Sequence, residues 1–289
     1  MAVGIEGRMA EALDRRRVWG QTDDENFNRE IARSWRNSAF NPEDFIGQPY
    51  RREEISADLQ KVFEIKRSPT YMHERGNEAV ALEYVLMEGI KVHGWFGDSV
   101  ESIQKTSEYD DIMNGVDFVI TFHDEDTDKF VYLAIDATTS SDETVLRRKA
   151  EKNFGKLAGG KMASVKYFED PDGNMGEAEM PCVVLELGPE KTVALQKLMV
   201  ERPSLTEDAG EKYEFLASVE NQLLKFVNYI LIRGGYLGEG RDLGSYGEVL
   251  EFMSRHGEDL DERTKKIVSA HADALQFVSL AAPKPKLVH

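Results

Sequence analysis

The chain has 289 residues, 41% of them hydrophobic and 9% aromatic, enough to bury a substantial core as one domain with appendages or as two. No window approaches the roughly 20 uninterrupted apolar residues that a membrane helix requires, the opening MAVGIEGRMAEALDRRR lacks the apolar block of a secretion signal, and the lone Cys182 excludes an internal disulfide and a thiolate metal site, so a cytoplasmic protein is expected. A formal net charge of −17 argues against a surface that grips nucleic acid everywhere, although phosphate affinity follows the local field and leaves room for a basic patch.

Residues 1–70 are polar and charged, with modest helical periodicity around Ile31, Trp35 and Leu59 and interruptions at Pro42 and Pro49, which predicts a short helical extension. In MHERGNEAVALEYVLMEGIKV, Ala79, Leu82, Val85 and Leu86 recur at helical spacing, and Gly89 stands where a left-handed terminus would end the helix. IKVHGWFG then reads as a strand. VDFVITF and FVYLAID are apolar runs rich in β-formers, separated by the polar turn HDEDTDK, the pattern of a hairpin.

TTSSDET supplies N-cap candidates for an amphipathic helix, VLRRKAEKNFGKL, with Val145, Lys149, Lys152 and Lys156 along one stripe. MASVKYF and PCVVLELG predict two further strands, with EDPDGNMGEAEM as the loop between them. After Pro189 the signal is helical. Leu216, Val219, Leu223, Phe226 and Ile230 mark a long helix whose stripe is expected in the core, a homodimer seam being the other reading, and SYGEVLEFMSRHGEDLDERTKKIVSAHADALQFVSL adds one or two more helices. The divisions expected are a helical extension over 1–70, a core over 71–188 and a helical region over 189–289.

Two acids stand out in the hairpin. Asp117 heads the first apolar run and Asp136 closes the second. A carboxylate in such surroundings must be paired, hydrogen-bonded or bound to a metal. Antiparallel pairing would bring the two together at one edge of the sheet, where hard oxygen ligands make a Mg²⁺ site; the plainer alternative is that each caps a strand and faces water. Beyond them, Arg147 to Lys166 carries seven basic residues against the single acid Glu151, a local cationic patch in an acidic chain.

Other motifs fall short. GKLAGGKM lacks the hydroxyl after its lysine and the strand-to-helix setting of a phosphate-binding loop, DEDTDK and DPDGN lack the closing glutamate of a calcium loop, and the six histidines form no ligand pair.

The order of a glutamate-bearing helix, a strand, a strand headed by an acid, a strand closed by an acid, then a helix and a strand resembles the PD-(D/E)xK, or restriction endonuclease-like, nuclease superfamily over roughly residues 71–188. RGNEAVALEYVLMEGIKV is similar to the first helix of archaeal Holliday-junction resolvases of that fold. The resemblance implies an α/β (α+β) core with a central mixed sheet flanked by helices, carrying helical N- and C-terminal extensions. It implies Mg²⁺- or Mn²⁺-dependent hydrolysis of nucleic acid, DNA first, with Asp117, Asp136 and the carbonyl of Ala137 holding the metal and Glu78 acting through water or a second ion. Glu83 is the reserve for Glu78. The motif's lysine position is Thr138, able to donate a hydrogen bond but no charge, so the cation would come from the next helix as Lys149, with Arg147, Arg148, Lys152 and Lys156 along the nucleic acid. The alternative is a catalytically silent scaffold of the same fold that binds a protein partner.

Overall fold

The computed structural model describes residues 38–68, 71, 77–140, 142–201 and 210–281; the expectations for Ile31 and Trp35 lie outside them. The N-terminal extension contributes a 3₁₀ turn, Pro42–Phe45, and a helix, α1 (Arg52–Lys66). Lys166 fixes this extension to the rest of the chain. Its ammonium pairs with Asp58 of α1 and lies 4.8, 5.4 and 5.6 Å from the ring centres of Tyr50, Tyr109 and Tyr167, a cation held by three aromatic faces.

The next helix, α2 (Asn77–Lys91), buries Leu82, Val85 and Leu86 as its periodicity requires. It does not stop at Gly89, however. Gly89 is a close-approach residue: a Cβ there would lie 2.5 Å from Cδ2 of the Trp95 indole, so the helix runs on to Lys91 with the ring laid across its glycine. IKVHGWFG is accordingly not a strand but a helix end and a turn, with Gly94 and Gly97 at φ of 59° and 84°. The first strand comes some ten residues later than the sequence suggests, as β1 (Val100–Lys105).

The expected hairpin forms. β2 (Phe118–Asp124) and β3 (Lys129–Thr138) are antiparallel, Phe118 facing Ile135 and Asp124 facing Lys129. The helix α3 (Glu143–Ala158) follows, its first turn capped by Asp142, whose carboxylate accepts from Thr144 N at 2.7 Å. Next comes β4 (Ala163–Glu169), and then a correction: the stretch read as a loop contains a strand, β5 (Met175–Met180), which folds back on β4 as a separate two-stranded sheet. Its charged MGEAEM carries little β-propensity of its own, and tertiary pairing decides the outcome. β6 (Cys182–Glu186) completes a mixed four-stranded sheet in the order β1-β2-β3-β6, parallel to β3. A parallel pair needs a crossover, which α3 and the β4–β5 hairpin supply.

The C-terminal helices are α4 (Pro189–Glu201), α5 (Gly210–Arg233), α6 (Tyr246–His256) and α7 (Glu262–Ala281). They share one core with the sheet. Phe118, Ile120, Phe122, Leu133 and Ile135 face Leu216, Val219, Leu223, Phe226 and Leu275, and the Phe122 and Phe277 rings stack at 4.9 Å. On the other face Val119, Ala134 and Cys182 pack against Val165, Phe168 and Met180. Burial on both faces explains why β2 reads as a continuous apolar run rather than an alternation. The stripe of α5 is spent inside the chain, so a homodimer through these helices would use their outer faces. No described helix is long and apolar enough to cross a membrane.

Candidate functional site

Gly115, left-handed at φ 67°, closes the π-helical turn Asp110–Asn114 and delivers the chain to β2. At this point β2 and β3 part. The Val116 carbonyl accepts from Thr106 Oγ1, and Asp117 is held on both sides, its N–H donating to Ile135 O at 2.8 Å and its carbonyl accepting from Thr106 N at 3.1 Å. Ala137 N–H donates to the Asp117 side chain, to Oδ2 at 2.6 Å. The Asp117 carboxylate is thus bound to the main chain of β3 one residue beyond Asp136.

Asp136 is buried near the end of β3, opposite Val184 of β6. Its Oδ1 accepts from Lys149 Nζ at 2.5 Å, and the same ammonium donates to the Ala137 carbonyl at 3.3 Å. Lys149 comes from the second turn of α3, so that helix reaches back over the strand end it follows. A point one Cβ length from Gly115 lies 2.9 Å from Lys152 Nζ and 3.8 Å from Asp136 Oδ2, which sets a second ammonium and the second carboxylate oxygen against the π-turn. On the α2 side, Glu83 and Lys105 form a buried ion pair at 2.5 Å.

The charges interact. Burial is the main cause that raises Asp117 well above the usual carboxylate range, with Asp111, Glu83 and Asp136 adding to it and Lys105 opposing. Burial also raises Asp136, against the pull of Lys149 and Lys152. For Lys105, burial works against the charge but is outweighed by Glu83, Asp117 and Asp111, and its pKa is raised. Glu83, Asp111, Asp117 and Asp136 therefore share one field, with Lys105, Lys149 and Lys152 among them. Ionising neighbouring acids together in a low-dielectric site is costly without a cation between them.

The structure places the residues singled out from the sequence differently. Asp117, Asp136, Ala137 and Lys149 come together, with Lys152 beside them. Thr138 is buried, and its Oγ1 accepts from Ser140 N at 3.4 Å in the turn that leaves β3. Arg147 and Arg148 are exposed on α3, Arg147 within 3.6 Å of Glu151, whereas Lys156 turns inward to donate to Asn114 O at 3.1 Å, and burial lowers its pKa. Glu78 stands in the first turn of α2 with its side chain outside the described residues; the reserve, Glu83, is the described helix acid that acts on Asp117. Lys105, Asp111 and Gly115 were not anticipated. Lys105 closes a strand that the pattern misplaced, and Asp111 sits in YDDIMNG, where only the closing glycine hinted at a turn.

Among the described residues no group of three or more His, Cys, Asp or Glu side chains is arranged to hold a metal ion. The donors present still suit Mg²⁺ or Mn²⁺. Mg²⁺ typically takes one or two protein carboxylates and keeps several waters, and two carboxylates with a strand-end carbonyl are hard oxygen donors of that kind. A cation of the protein's own, the Lys149 ammonium, already rests against Asp136 and the Ala137 carbonyl. Comparisons of the chain with family models, with curated proteins and with solved structures find no match.

Proposed function

We propose that the chain is a metal-dependent nuclease that hydrolyses phosphodiester bonds in nucleic acid, DNA being the first substrate to try. The observation that carries this reading is the convergence at one sheet edge of Asp117, Asp136 and the Ala137 carbonyl with Lys149, which arrives from the following helix and supplies the charge missing at Thr138. The order of a helix, three antiparallel strands and a helix supports the resemblance to the PD-(D/E)xK superfamily, with the strand parallel to the third, β6, reached only after the separate β4–β5 hairpin.

In this reading Asp117, Asp136 and Ala137 O would hold Mg²⁺ or Mn²⁺, which when bound supplies a Lewis acid for the phosphoryl oxygen and an acidified water. Lys149 would neutralise charge that develops on the phosphate. The hydrogen bond from Ala137 N–H orients the Asp117 carboxylate, and the Glu83–Lys105 pair sets the field behind it. Arg147 and Arg148, exposed on α3, would meet backbone phosphates away from the cut. A cytoplasmic setting suits the single buried thiol of Cys182, whose pKa burial pushes up to about 12.

One observation favours a second reading. Glu83, Asp117 and Asp136 are each satisfied within the chain, by Lys105, Ala137 N–H and Lys149, as in a silent scaffold whose charges only hold it together. Labelled single- and double-stranded DNA and RNA, incubated with Mg²⁺ or Mn²⁺, distinguish the two. The nuclease reading expects cleavage that falls ~10²-fold or more in Asp136→Ala. Equal cleavage by both proteins would remove this site from the reaction, and no cleavage of any substrate would leave the scaffold.

A further inference from the structure

We infer that Lys149 is the resting occupant of the cation position and that a divalent ion binds only by displacing it. The inference rests on the proposed metal site and goes beyond it. The Lys149 ammonium contacts Asp136 Oδ1 and the Ala137 carbonyl, two of the three oxygens that would face the metal, so ammonium and metal cannot occupy that place together.

The geometry allows an exchange. Asp136 is fixed in the β3–β6 ladder, and Asp117 is bound to the β3 backbone, so the carboxylates are held by the sheet. Lys149 is tethered by a flexible stem on a helix, and its side chain keeps 26% of its surface exposed against 12% for Asp136. The mobile partner is therefore the lysine. Lys152, exposed on α3, acts on the same carboxylate through its charge, so the site keeps a cation nearby while Lys149 is away. Displacement would also deliver a cation to the phosphate side of the site only after the metal is in place, which couples metal loading to assembly of the charge that substrate meets.

The consequence is thermodynamic. When the binding-competent form is a minor state, apparent affinity falls by its fractional population, and a minor state of this kind is typically populated at about 0.1–10%. Removing the ammonium removes that cost. The experiment measures Mn²⁺ binding by electron paramagnetic resonance for the full wild-type chain, Lys149→Met and Asp136→Asn, with circular dichroism to confirm the fold of each. In parallel, amine acylation of the wild-type protein is followed by mass spectrometry as Mn²⁺ is added, with the exposed Lys161 as internal reference.

The expected result is binding about tenfold or more tighter in Lys149→Met than in wild type, binding lost in Asp136→Asn, and acylation of Lys149 rising at the same Mn²⁺ midpoint as binding. Acylation alone decides the matter if Lys149→Met does not fold. Wild-type binding that Asp136→Asn abolishes, with no gain in Lys149→Met or no change in acylation, would overturn the exchange and leave the nuclease reading intact. Failure of both wild type and Lys149→Met to bind Mn²⁺ would overturn both.

Discussion

Glu88 offers a sharp test of how this core handles charge. It lies on α2, 6% exposed, with no hydrogen bond or ion pair to its carboxylate among the described residues, and burial raises its pKa from 4.5 to about 7. Because the folded value exceeds the unfolded one, the carboxyl costs nothing below about pH 4.5. Stability is then lost as the pH rises towards 7, and the loss is complete above it. At about 1.4 kcal/mol per pH unit the full loss is roughly 3 kcal/mol, or about 5–10 °C in Tm for a chain of this size. Glu88→Gln keeps the shape and removes the titration. Its own amide adds a constant offset, so the informative quantity is the stability difference between variant and wild type, measured by urea unfolding from pH 4.5 to 8. That difference should move in favour of Gln by roughly 3 kcal/mol across the window. A difference flat with pH would refute the reasoning, since it would mean that Glu88 ionises as freely in the folded protein as in the unfolded one.

Three further outcomes follow from the structure. Asp110 is fully buried and accepts from Lys166 N at 2.6 Å, Tyr167 N at 3.1 Å, Ser107 Oγ at 2.7 Å and Asn114 Nδ2 at 2.7 Å, so Asp110→Ala should cost about 3 kcal/mol or more in urea unfolding; a loss under about 1 kcal/mol would show that water replaces the carboxylate. Gly115→Ala combines a left-handed backbone with a Cβ 2.9 Å from Lys152 Nζ and should destabilise by about 1–2 kcal/mol while lowering any Mg²⁺-dependent cleavage, and an unchanged melting temperature would contradict it. His271 is buried, its Nδ1 bonded to Ile267 O at 2.8 Å, and burial lowers its pKa from 6.5 to about 4. The stability it contributes is present above pH 6.5 and is lost as the pH falls towards 4, up to about 3 kcal/mol, and its ring resonances should stay in the neutral form at pH 5.5, a titration near 6.5 being the contrary result.

Much of this architecture was legible from the chain. The β2–β3 hairpin was readable because strong β-formers flank an acidic turn, and α3 and α5 because their apolar positions repeat at helical spacing. Asp117 and Asp136 could be placed at one sheet edge because antiparallel register ties the head of one strand to the tail of the next. Other features were hidden for physical reasons. Gly89 looks like a terminator, since a sequence does not show that an indole six residues on will lie over it. β5 is invisible because MGEAEM becomes a strand only when β4 is there to pair with it. Lys105 and Asp111 join the site through the path between β1 and β2, which local pattern does not specify. The inward turn of Lys156 was equally hidden, for a lysine on a charged helix reads as solvated until its neighbours are known.

The continuity between sheet and C-terminal helices bears on how the chain is made. β3 gains its parallel neighbour only when residues 182–186 appear, and Phe122 gains its stacked ring only when Phe277 does. Synthesis therefore places the strand ends that carry Asp117 and Asp136 on the ribosome's outer side more than a hundred residues before the apolar face behind them can be closed. Through that interval the nascent sheet has an uncovered greasy surface, the kind of intermediate on which chaperones act. Secure closure, and with it a rigid seat for Asp117 and Asp136, waits on the emergence of α7.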